Sequence, residues 1–405
     1  MESTESGSWT LNPQELPPVR DGTKIGIEGL IESEKPTLIP GLPDDIAFSC
    51  LARVPRKYHP VLNCVSKRWR ELICGEEWYS YRLKHHLEET WVYALCRDKF
   101  EQLCMFVLDP NQLKKGWKRI HGLPGCCLKR KGVGFEVLGK KVYLFGGCGW
   151  IEDATDDVYC YDATLSTWTR AGSLPTLGTI FTANIDQGIK LTGCLKKRIP
   201  TYIHILHMCF FAYEALDGKI YAIGGLGSKS SNPHSWDIYN SHTNCWSSHV
   251  DPNVIPDIED SVVLEGRIYI RCGISAVSSY VYAVVYEPSS GTWQHADTDM
   301  ACGWRGPAVV IDGVLYVLDQ TSGVRLMMWQ NEAREWMAIR RLSTHLIIPP
   351  CRLVAIGKKI FVVGKGLSTV MFDVESAGCV DGILVSSSLK LTSDDEVISC
   401  KTLAI

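Results

Sequence analysis

One recurring motif restricts the fold of this chain more than any other feature. The stretch "VLGKKVYLFGG" at 137–147 returns as "ALDGKIYAIGG" at 215–225. It returns more weakly as "VLEGRIYIRCG" at 263–273, "VIDGVLYVLDQ" at 310–320 and "AIGKKIFVVGK" at 355–365. The aromatic anchors are Tyr143, Tyr221, Tyr269, Tyr316 and Phe361; their last three spacings are 48, 47 and 45, and the first is 78. Tyr93 in "WVYALC" lies 50 residues before Tyr143 and marks one more unit. A second anchor keeps the same step. Trp117, Trp168, Trp246 and Trp293 follow their tyrosines by 24 or 25 residues, and Trp336 follows Tyr316 by 20. In the last unit Cys379 stands where a tryptophan is expected. A fixed period of this length decides architecture before any single element does.

Each unit reads as four short strands. In 131–170, "GVGFEVL" and "KVYLFGG" are apolar runs joined by a tight turn. "DVYCYDA" alternates, and "LSTWTRA" completes the sheet. Asp162, Asn240 and Glu287 each precede a tryptophan by six residues and suit the turn between the last two strands. The glycine pairs suit places where backbones crowd, near an axis, and the tryptophan fills the widening space between sheets. Four strands, a glycine doublet and a tryptophan at this period resemble kelch repeats, which build β-propellers. The residues that carry the resemblance are Gly146, Gly147, Gly224, Gly225, Trp168, Trp246, Trp293 and Trp336. The expected fold is mainly β, a six-bladed kelch-type propeller over 90–405. The strand-like "VISCKTLAI" at the end supplies the inner strand that the first unit lacks and closes the ring.

What precedes the propeller is different. Residues 1–37 are polar and aperiodic and read as disordered. Residues 38–86 read as a small module of three helices. Asp44 or Asp45 caps the first, Pro55 ends it, and Pro60 opens the second, whose stripe is Val61, Leu62, Val65, Trp69, Leu72 and Ile73. A third runs from Glu76 to about His86. So short a module buries little surface alone and calls for a partner. "LPDD", "VP" and "VSKRW", at 42–45, 54–55 and 65–69, closely resemble an F-box. The resemblance implies docking on the Skp-type adaptor of a cullin–RING ubiquitin ligase. It assigns adaptor contact to Leu42, Pro43, Ile46, Leu51, Val54, Pro55, Val65 and Trp69. Packing among the helices is the competing role for Leu51, Val65 and Trp69.

An F-box followed by kelch blades resembles the plant F-box/kelch proteins, which implies a substrate-recognition subunit with no catalytic step of its own. The alternatives are a kelch-propeller enzyme and a scaffold or cytoskeletal binder. No GxSxG, P-loop or HExxH motif supports an enzyme, and His204 and His207 lack carboxylates nearby to make a metal site. No cofactor and no metal are expected. A formal net charge of −3 argues against nucleic acid or an anionic membrane as partner, and no apolar run is long enough to span a membrane. Seventeen cysteines without a framework or a CxxC pair suit reduced thiols in the cytosol or nucleus. The unknown protein substrate is expected on the loops that join strands two and three and successive blades. Trp150, Trp304 and Arg305 are the candidate anchors there, beside the acidic Glu152, Asp153, Asp156 and Asp157. The excess spacing of the first unit falls at about 177–208. That segment reads either as a substrate-gripping arm or as a retained intron, and in both cases as a loop outside the six blades.

Overall fold

The computed structural model describes residues 37–147, 157–171, 211–224, 235–253, 258–273, 281–321, 323–374, 383–385 and 395–405. The readings of 1–36 and 177–208 lie outside them. The chain divides into two compact units, 1–49 and 50–405.

The helical elements follow the cap and breaker residues. Helix α1 (Asp44–Ala52) places Asp44 and Asp45 in its first turn, where carboxylates complement the free N–H groups. Asp44 Oδ1 also accepts from Leu38 N at 2.7 Å. The expected second helix is broken in two, α2 (His59–Leu62) and α3 (Lys67–Cys74). Ser66 is the cause. Its backbone is extended and its Oγ accepts from Trp69 N at 3.1 Å, so it starts a new helix and does not continue the old one. Helix α4 (Glu76–Lys84) follows, with Trp78 wholly buried.

The rest of the described chain is a six-bladed propeller of four-stranded antiparallel sheets. Blade 1 holds β1 (Thr90–Arg97), β2 (Leu103–Leu108) and β3 (Lys118–Ile120). Blade 2 holds β4 (Gly134–Leu138), β5 (Lys141–Phe145), β6 (Val158–Asp162) and β7 (Thr167–Arg170). Blade 3 holds β8 (Phe211–Leu216), β9 (Lys219–Gly224), β10 (Ser235–Asn240) and β11 (Cys245–Val250). Blade 4 holds β12 (Ile258–Leu264), β13 (Arg267–Cys272), β14 (Tyr282–Glu287) and β15 (Thr292–His295). Blade 5 holds β16 (Ala308–Ile311), β17 (Val314–Asp319), β18 (Val324–Gln330) and β19 (Glu335–Leu342). Blade 6 holds β20 (Arg352–Ile356), β21 (Lys359–Val363), β22 (Thr369–Asp373) and β23 (Ile383–Val385). The last strand, β24 (Glu396–Ala404), returns to blade 1 and pairs antiparallel with β1, from Thr90↔Ala404 to Arg97↔Glu396.

Turn chemistry sets the hairpins. Asp217-Gly218, Glu265-Gly266 and Asp312-Gly313 join first and second strands with both residues at positive φ, which matches the twist of a two-residue hairpin. The glycine doublet has a different cause from axial crowding. Gly147 sits at φ +83°, and a Cβ there would meet Lys131 O at 2.9 Å, so the crowding comes from the chain entering the same blade. Gly146 and Gly224 also have positive φ, whereas Gly225 lies outside the described residues.

The core lies between the blades. Apolar clusters fill every junction, including the one that joins blade 6 to blade 1 through Val354, Phe361, Val397 and Cys400. Trp168, Trp246, Trp293 and Trp336, all on fourth strands, each pack against the neighbouring blade.

Candidate docking surfaces

In the first unit Leu42 is half-buried, with its N–H donating to Ile39 O, while Pro43 and Ile46 are exposed. In the second, Pro55 and Val65 are exposed, and Val54 and Trp69 are half-buried. Leu51 is buried at 5% exposure, where packing among the helices competes with adaptor contact. Tyr58 and Val61 are exposed apolar side chains that the reading of adaptor residues omitted. The break at Ser66 explains Val61 and Val65: the stripe drawn through one long helix stops there, and both stay in solvent.

The helices from residue 50 onward are tied to the propeller by two arginines. Arg82 is almost fully buried. Its guanidinium donates to Ala52 O, to Val54 O at 3.2 Å, to Leu87 O at 2.5 Å and to Ile405 O at 3.4 Å, and it faces Glu89 at 3.5 Å. Arg56 stacks 4.1 Å over the Trp91 ring and donates to Tyr93 Oη at 2.7 Å and to Ala163 O at 3.5 Å. Lys140 pairs with Glu76 at 2.6 Å. His59 lies edge-on to Trp78, with ring centroids 5.7 Å apart. Burial, with Arg82 close by, lowers its pKa to about 4, so the ring is neutral. The planar guanidinium holds five donors in a fixed fan and so reaches carbonyls that lie apart, where a lysine offers a compact point charge.

Ala163 and Lys140 belong to turns that join strands three to four and one to two. Helices α2 to α4 therefore sit on that end of the disc. The loops expected to hold substrate emerge at the other end, and the structure changes their reading. Trp150, Glu152, Asp153 and Asp156 lie outside the described residues. Asp157 is bound in ion pairs, at 2.8 Å to Arg130 and 2.5 Å to Arg170. Trp304 is wholly buried and not a surface anchor. Helix α5 (Thr298–Gly303), capped by Asp297, folds the loop inward. The indole then donates to Asp260 Oδ2 and to Gly306 O, each at 3.0 Å. Arg305 is exposed, and its Nε donates to Cys302 O at 3.1 Å.

The innermost strands bring a polar cluster to the propeller axis, which the repeat pattern does not announce. Lys401 on β24 pairs with Glu136 on β4 at 2.5 Å and donates to Tyr213 O at 3.3 Å; Ser261 donates to Glu214 at 2.6 Å. Burial raises Glu136 and Asp260 to about 7, against the pull of Lys401 on the first and the Trp304 hydrogen bond on the second. Burial opposes the charge on Lys401, but Glu136 and Glu214 outweigh it and hold the ammonium above the usual lysine range. Among the described residues no group of three His, Cys, Asp or Glu side chains is placed to hold a metal ion.

Comparison with known proteins adds to this geometry. The F-box domain family matches residues 39–81, and the Kelch motif family matches 129–175 and 207–248. The Arabidopsis thaliana F-box/kelch-repeat protein SKIP4 is 47% identical over 91% of this chain and 94% of its own length. A second F-box/kelch-repeat protein of the same plant is 28% identical over 75% of this chain and 72% of its own.

Proposed function

Because this chain belongs to the F-box/kelch-repeat proteins, we propose that it is a substrate receptor of a Skp–cullin–F-box ubiquitin ligase. The observation that carries the reading is apolar exposure on a module too small to afford it. Pro43 and Ile46 in the first unit, and Pro55, Val61 and Val65 in the second, are what an adaptor would cover. Their burial is worth about 1.5–3 kcal/mol for each large side chain. The propeller supplies the rest: a disc of paired strands whose loops present a target protein. Binding raises the target's effective concentration beside the ubiquitin-charged enzyme, and this chain makes and breaks no bond.

Co-expression with a Skp-type adaptor tests the reading. Leu42→Ala with Pro43→Ala is expected to abolish co-purification while the propeller melts as before. Co-purification at the wild-type level would remove these two residues from the contact. A wild-type chain that captures no adaptor would leave a scaffold in place of a receptor.

A further inference from the structure

A cleft of about 560 Å³ lies between blades 4 and 5. Its lining includes Leu264, Tyr269, Val314, Leu315, Met328 and Trp329, together with Met300 of helix α5. The volume falls in the range of sites that take a few side chains or a small ligand. The lining also takes in the Glu265 and Gly313 turns, which join first to second strands, the 331–333 turn, which joins β18 to β19, and Ala296 and Asp297 on the connection to helix α5. These turns lie at the same end of the disc as Lys140 and Ala163, which hold the helices, whereas Asp297 and Met300 belong to the connection between blades 4 and 5, one of the loops expected to bind substrate.

Charge selects the occupant. The lining carries Glu265, Asp297 and Glu332 and no lysine or arginine. Asp312 adjoins it at the Gly313 turn. Asp297 is neutralised by Arg334 at 2.6 Å. Glu265 and Glu332 have no ionic or hydrogen-bonding partner among the described residues, although they line the cleft from different blades. A mixed polar and apolar lining with two unpaired carboxylates on exposed turns repels phosphate-bearing ligands and suits a cation next to an apolar group. The half-buried thioether of Met328 adds a soft, adaptable surface.

We propose that this cleft binds a short basic segment of a partner protein, an aliphatic side chain entering between the blades and flanking lysines or arginines meeting Glu265 and Glu332. The proposal does not depend on the ligase reading, because it can be tested without adaptor.

The probe is a fluorescein-labelled Arg-Lys-Leu-Lys-Arg peptide, with an acidic Glu-Glu-Leu-Glu-Glu peptide as control. Both are titrated with the full chain and followed by anisotropy. Saturable binding of the basic peptide, weakened by salt and absent for the control, is expected. Glu265→Lys with Glu332→Lys, both on exposed turns, is expected to weaken it by about tenfold or more with an unchanged melting temperature. Ala333→Trp, which fills the mouth, is expected to abolish it. Equal binding of the acidic peptide, no saturable binding, or binding indifferent to the double reversal would overturn the proposal. So would sedimentation showing self-association that the double variant abolishes, because the cleft would then belong to a second copy.

Discussion

Deleting β24, from Glu396 to the end, should unfold the whole propeller and not merely fray one blade. The strand pairs with β1 along its length, and the deleted segment buries Val397, Cys400, Leu403 and Ile405. Burying an aliphatic side chain of this size contributes about 1.5–3 kcal/mol, so the apolar share alone is several kcal/mol. Removing Lys401 also leaves Glu136, buried at 4% exposure, without its ammonium; breaking such a pair costs about 3–5 kcal/mol. The first blade would also present the unpaired backbone of β1. Together these losses match the 5–15 kcal/mol by which a folded domain is stable at all. A graded version is Leu403→Ala. Leu403 is 1% exposed, so the truncation should cost about 2–5 kcal/mol. For a domain of this size that corresponds to a fall of roughly 1.5 °C per kcal/mol in Tm, or about 3–8 °C. Differential scanning calorimetry measures both variants. A deletion variant with a single transition at the wild-type temperature would refute closure by β24. A Leu403→Ala variant within 1 °C of wild type would refute its energetic share.

Arg82→Met should destabilise the attachment of the helices by about 3–5 kcal/mol, since several buried carbonyls lose a charged donor, and limited proteolysis should then cut between 52 and 89 first; a cleavage pattern like wild type would oppose this. Trp304→Ala should lower stability by about 3–5 kcal/mol, as expected of a fully buried indole, and a melting temperature equal to wild type would return Trp304 to the surface role. Acidification should weaken the fold through His59. Its folded pKa of about 4 lies below the ordinary value of 6.5, so the unfolded chain takes up the proton first, and stability is lost as pH falls from about 6.5 towards 4, by up to about 3 kcal/mol. Glu136 and Asp260, raised to about 7, act with the opposite sign over the same range, so the measurement is the difference in denaturation midpoint between wild type and His59→Gln.

Much of the architecture was legible in the sequence because its causes are local. Alternation makes strands, Asp-Gly and Glu-Gly pairs make tight hairpins, and a period of nearly constant length makes blades. The tryptophan step located the fourth strands, where Trp168, Trp246, Trp293 and Trp336 all stand. The helical module was also readable, down to the acidic first turn of α1. The signal for its break was present in Ser66, which can cap a helix as readily as sit within one.

Which polar and aromatic groups face solvent was decided elsewhere. Trp304 reads as an exposed loop residue until helix α5 carries it onto Asp260, 44 positions away in sequence. Glu136, Glu214, Asp260 and Lys401 are unremarkable on their separate strands and become one cluster only because the ring brings inner strands to a common axis. Arg82 meets Ile405 across 323 positions. The amino-acid order by itself determined the repeat, the strands and the two kinds of module, since these rest on periodicity and turn chemistry within a few residues. Only tertiary closure decided the anchoring arginines, the axial charges and the cleft between blades 4 and 5, because desolvation and ion pairing depend on what the far end of the chain places alongside.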